Sequence, residues 1–114
     1  MLAIHILNKA QDDYRQLDGS QKKWVSAAIK RCAKADGLVG DQLSNNSVAK
    51  LHGCKKLKNN KLGLRIIFRL NNHQDIEVIE IIIIDKREDF KVYKEAEKRL
   101  NEITSTFKKW TTEN

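Results

Sequence analysis

The run Ile76–Ile84 reads IEVIEIIII and limits this chain more than any other segment. It is dominated by β-branched residues, which favour extended backbone, and its apolar side chains fall on both faces of such a backbone. A strand of this kind belongs inside a sheet that is covered on both sides. The run carries Glu77 and Glu80 and is far too short to cross a bilayer. The segment before it, Leu64–Leu70, alternates: Leu64, Ile66, Phe68 and Leu70 face one way, and Arg65, Ile67 and Arg69 the other. Asn71–Asp75 reads as a turn, so the two runs form an antiparallel hairpin. A further short strand is expected just before Leu64.

The flanking segments supply the helices that such a sheet needs. Leu2, Ile4 and Ile6 alternate with Ala3, His5 and Leu7, which suits a short first strand. Asn8 can cap a following helix whose inner stripe is Ala10, Tyr14 and Leu17. Asp18-Gly19 breaks that helix, and Ser20 can cap a second with the stripe Trp24, Ala28, Cys32 and Ala35, stopped by Gly37. Gly37–Ser47 reads as a loop, and Asn59-Asn60 as a second turn. After Lys86-Arg87 the period changes. Ala96, Leu100, Ile103, Phe107 and Trp110 fall on one stripe, which predicts a helix over most of residues 86–110. The expected order is β-α-α-β-β-β-α. The fold class is α+β: one domain over residues 1–114, with a small antiparallel sheet, an N-terminal helix hairpin and a long C-terminal helix packed on it.

Charge is concentrated. The chain carries 22 Lys+Arg against 15 Asp+Glu, a formal net charge of +7. Lys50, Lys55, Lys56, Lys58, Lys61, Arg65 and Arg69 lie in a stretch with no acidic residue, and without them the two signs balance. A block of this kind is an electrostatic footprint for a polyanion, most often nucleic acid. Nothing points to a metal or another cofactor. Cys32 and Cys54 have neither CxxC spacing nor local histidine partners, and His5, His52 and His73 are scattered. The apolar opening lacks the charged lead of a secretory signal, so the expectation is a soluble, cytoplasmic protein without membrane contact.

Three groups of cations are expected to converge at one end of the sheet: the lysines Lys55, Lys56, Lys58 and Lys61, the arginines Arg65 and Arg69, and Lys86-Arg87, with Tyr93 just beyond. Fixed guanidinium groups bind phosphate oxygens in pairs and stabilise a phosphorane. Crowded cations lower the pKa of a neighbouring lysine or tyrosine, which could then serve as a general base without histidine. The bland reading of such a cluster is a solvated face, and the missing acidic neighbours argue against it.

The strand LRIIFRL and the stretch IEVIEIIIIDKREDFKVYKEAEKRL, above all Lys86–Leu100, resemble the RelE/ParE superfamily of bacterial toxins, on the RelE side. The resemblance implies an endoribonuclease, an mRNA interferase that cuts mRNA in the ribosomal A site and is held in check by a cognate antitoxin protein. It implies catalytic roles for Arg65, Arg87 and Tyr93. The family's lysine pair is best matched by Lys56 and Lys58, with Lys61 or Lys55 as alternatives. Lys50, Lys55, Lys61, Arg69 and Lys86 would contact RNA. Two other readings fit the same fold: a ParE-like inhibitor of DNA gyrase that cleaves nothing, and a nucleic-acid-binding module without catalysis.

Overall fold

The computed structural model describes residues 1–102 and 106–110. Its order is β1 (Ala3–Leu7), α1 (Asn8–Arg15), α2 (Gly19–Lys34), β2 (Asp41–Gln42), β3 (Cys54–Asn59), β4 (Leu64–His73), β5 (Ile76–Asp85), α3 (Asp89–Leu100) and β6 (Phe107–Lys109). The strands form one sheet in the order β2-β3-β4-β5-β1-β6. Helices α1 and α2 cover one face over Ile4, Ile6, Leu64, Ile66, Phe68, Ile79, Ile81 and Ile84. Helix α3 and the 43–51 segment cover the other over Cys54, Ile67, Ile82 and Ile83. The α+β class and the central position of β5 are as the sequence implies.

The β4–β5 hairpin closes on Gln74 and Asp75, whose φ values are 53° and 67°. Two successive left-handed residues are the signature of a tight turn that matches the twist of a hairpin. The register shifts between Ile67 and Phe68, because Ile67 faces Ile83 whereas Phe68 faces Ile81. Ile82 is the extra residue, and the bulge lets Ile82 and Ile83 both reach the α3 core. Burying an isoleucine is worth roughly 2 kcal/mol, more than the roughly 1 kcal/mol of a disturbed ladder bond.

Four sequence expectations need correction. The sheet is mixed, since β1 lies parallel to β5 with Ile4 opposite Ile79. β5 needs a neighbour on each edge, and β1 is too distant in sequence for a tight turn to impose an antiparallel pairing. Second, residues 86–110 are not largely one helix. Helix α3 ends at Leu100, and Phe107–Lys109 add an antiparallel strand to the open edge of β1. Trp110 donates its backbone N–H to the Ile4 carbonyl at 2.9 Å, and its ring meets that of Tyr14 edge-on at 4.9 Å. Ile103 lies outside the described residues.

Third, the helix starts are displaced. Asp18, not Ser20, caps α2, and its carboxylate and the Gln21 side chain satisfy each other's backbone N–H groups. Asn8 begins α1 without capping it, and its backbone N–H donates to the Thr106 carbonyl at 2.9 Å. Fourth, the buried stripe of α2 is Val25, Ala28, Ile29, Cys32 and Ala33, rotated from the expected one, so Trp24 lies at its margin.

Candidate active site

Register decides which side chains share a face. Residues directly opposite on neighbouring strands point the same way. Lys58 faces Arg65, and Arg65 faces Asp85, which makes a polar row across β3, β4 and β5 at one end of the sheet on the α3 side. One step inward is the row Lys56, Ile67 and Ile83. The first two turns of α3 lie above these two rows and lower Asp89 and, four residues on, Tyr93 toward them.

The contacts there are dense. Lys56 Nζ donates to the Tyr93 hydroxyl at 2.9 Å and to Asp89 Oδ2 at 3.3 Å. Its ammonium lies 5.5 Å from the centre of the Tyr93 ring. Arg65 Nε donates to Asp89 Oδ1, and Arg65 Nη1 donates to the Arg87 carbonyl and to the Gly63 carbonyl. Lys56 and Arg65, from two neighbouring strands, therefore grip one carboxylate, and Tyr93 is joined to them through Lys56. Arg87 joins the cluster through its backbone. Its guanidinium is turned to Asp85 Oδ2, at 2.9 Å from Nε and 2.6 Å from Nη2, and remains about half exposed. Lys58 is exposed at the rim beside Arg65.

The other expected contacts scatter. Lys55 points to the opposite face and donates to the Gly37 carbonyl at 3.0 Å, which removes it as an alternative to Lys56 or Lys58. Arg69 lies on the site's face of the sheet, but pairs with the buried Glu80 at 2.7 Å, further along the hairpin. Lys50 meets α3 through its backbone N–H, given to Glu97 Oε2 at 2.6 Å. Lys61 is exposed on the β3–β4 turn, and Lys86 is exposed beside Arg87. The seven-residue basic block is thus divided between two faces, and no single patch holds it.

Nor is the cluster without acidic neighbours. Asp85 and Asp89 fold onto it from the end of β5 and the start of α3. At Lys56, Tyr93 and Asp89 reverse the expected direction. Burial disfavours its ammonium, but the bonds to Tyr93 and Asp89 outweigh burial and raise its pKa. Lys56 is held as a cation and does not resemble a resting general base. The carboxyl of Asp89 is raised by burial but lowered more by Arg65 and Lys56, with a net downward shift.

Sequence reasoning missed Asp89 as a member of the site, although its place four residues before Tyr93 on one helix face was a usable signal. It also missed Arg99. This buried arginine pairs with Asp13 through two bonds of 2.7 and 3.1 Å, with Glu95 at 2.9 Å, and with the Ile82 carbonyl at 3.0 Å. It ties α1, β5 and the last turn of α3 together.

Fold and cluster define a class: a small α+β protein presenting lysine, arginine and tyrosine at one end of a sheet roofed by its last helix. No family model matches the chain, and no curated protein matches it. Solved structures do. A double arginine-to-alanine mutant of the Escherichia coli toxin RelE, in the free state, is 20% identical and superposes with a TM-score of 0.67, covering 88% of this chain and 99% of that one. The isolated E. coli RelE toxin gives 19% and 0.63 over the same shares. The mutant in complex with a peptide of the antitoxin RelB gives 18% and 0.62, over 83% and 93%. The chain therefore has the RelE fold.

Proposed function

We propose that this chain is the toxin of a type II toxin–antitoxin pair and cuts ribosome-bound mRNA in the A site. The observation that carries the reading is the grip of Lys56 and Arg65 on a single anion, with Tyr93 bonded to Lys56 and with Lys58 and Arg87 at the edge. Their placement suits a scissile phosphate. Arg65 and Lys56 hold its non-bridging oxygens, and Arg87 swings from Asp85 to meet the charge that grows on the phosphorane. Lys58, at the rim beside Arg65, is placed to take the proton of the attacking 2′-OH. Tyr93, held upright by Lys56, stacks on or orients a base. The 2′-oxygen bonds to phosphorus, the bond to the 5′-oxygen breaks, and that oxygen departs with a proton. The products are a 2′,3′-cyclic phosphate and a 5′-OH end.

The cognate antitoxin is proposed by likeness to the RelE structure that contains a RelB peptide. A cytoplasmic site of action follows from the proposed target. No helix among the described residues is long and apolar enough to cross a membrane. Inducible expression followed by mapping of mRNA 5′ ends tests the reading. New 5′-OH ends within codons at stalled ribosomes support it. Growth arrest with DNA damage and intact transcripts would favour the gyrase-directed reading instead.

A further inference from the structure

The cations assigned to the phosphate are not waiting empty. Both oxygens of Asp89 are engaged, Oδ1 by Arg65 and Oδ2 by Lys56. One anion spanning a guanidinium and an ammonium is the arrangement that two non-bridging phosphate oxygens would adopt. The exposures differ in a telling way. The side chains of Lys56 and Arg65 are each 12% exposed, whereas that of Asp89 is 37% exposed. Asp89 can leave toward solvent and its partners cannot. They would also keep their positions once it left, because Lys56 retains the Tyr93 hydroxyl and Arg65 retains the carbonyls of Gly63 and Arg87.

We infer that Asp89 is a built-in competitor for the phosphate site, a carboxylate that an RNA phosphate must displace before Arg65 and Lys56 can bind it. The inference rests on the proposed phosphate-binding role of those two residues. It assigns to this chain an internal brake, set by one side chain in the first turn of α3. The low pKa of Asp89 supports it, since the carboxylate remains charged throughout the neutral range.

The test compares binding by the wild-type chain and Asp89→Asn, which keeps the shape and removes the charge. Two probes are titrated at low salt: inorganic tripolyphosphate, and a short RNA carrying 2′-O-methyl groups so that it cannot be cut. Glu102→Gln controls for the change in net charge, because Glu102 pairs with Lys9 away from the site. We expect Asp89→Asn to bind both probes about tenfold more tightly, as loss of a partly exposed competing ion pair allows. Glu102→Gln should move binding less than about twofold. If Asp89→Asn melts early, Asp89→Ala takes its place in the same comparison. Unchanged or weaker binding relative to the control overturns the inference. Cleavage of an unmodified RNA is scored separately. Tighter binding with no cleavage by either protein upholds the competitor and sinks the nuclease reading. Cleavage by the wild type without tighter binding in the variant does the reverse.

Discussion

Single residues set the electrostatics on the α3 side of the sheet, and Glu80 shows how. It is 1% exposed, yet is charged and held by Arg69 at 2.7 Å, His73 at 2.8 Å and Asn71 at 3.3 Å. Burial raises its pKa, the three donors lower it by more, and the net shift is downward from 4.5. A carboxyl depressed on folding adds stability that is complete above its unfolded pKa and is lost as pH falls through the folded one. Asp85 and Asp89 shift in the same direction, each raised by burial but lowered more by its cationic partners. Urea midpoints of the wild type should therefore fall between about pH 5 and about pH 3. Glu80→Gln should start lower at neutral pH and fall less over that interval, and parallel curves would remove Glu80 as a cause. The thiols carry no comparable chemistry. Cys32 and Cys54 are both buried, and burial pushes Cys32 up to about 11.

At the scale of elements, the packing is under the control of a few junctions. Arg99 joins α1, β5 and α3, and its truncation leaves the carboxylate of Asp13 without its main partner. Arg99→Ala should cost about 3 kcal/mol of stability by urea unfolding, the range for breaking a buried ion pair. A loss near zero would show that α3 is held by its apolar contacts alone. The hairpin offers the opposite sign. Gln74→Asn with Asp75→Gly suits the two left-handed positions and should raise stability by about 1 kcal/mol in the same assay. The strands β4 and β5 were legible because alternation and a β-branched run are local signals that packing rarely overrides. The end of α3 was not. Phe107 and Trp110 keep a helical spacing from Leu100, but the unpaired edge of β1 claims them, and no local pattern reports a distant edge. The parallel pairing of β1 and the bulge at Ile82 were hidden for the same reason. The site was half legible: Lys56, Arg65 and Tyr93 meet as expected, whereas the carboxylates that balance them come from another element and leave no mark within the basic block.

For the whole molecule, the net charge of +7 overstates what the site displays. Lys55 lies on the far face, Arg69 is spent on Glu80, and Arg65, Lys56 and Arg87 each have a carboxylate in reach. The protein is better described as a RelE-fold scaffold that holds a few cations in a partly neutralised state at one end of its sheet than as a uniformly basic surface. The central claim is that these cations act on a phosphodiester, and Arg87 is the residue on which to test it. Its guanidinium is half exposed and bonded to Asp85, so its removal tests the chemistry at a modest cost in stability. Ribosomes programmed with a defined mRNA should be incubated with the purified wild type and with Arg87→Ala, and the ends of the products determined. The account predicts A-site cleavage to a 2′,3′-cyclic phosphate and a 5′-OH by the wild type, and at least about a hundredfold less by a variant that keeps its circular dichroism and remains folded at the assay temperature. Cleavage by Arg87→Ala at the wild-type rate would contradict it.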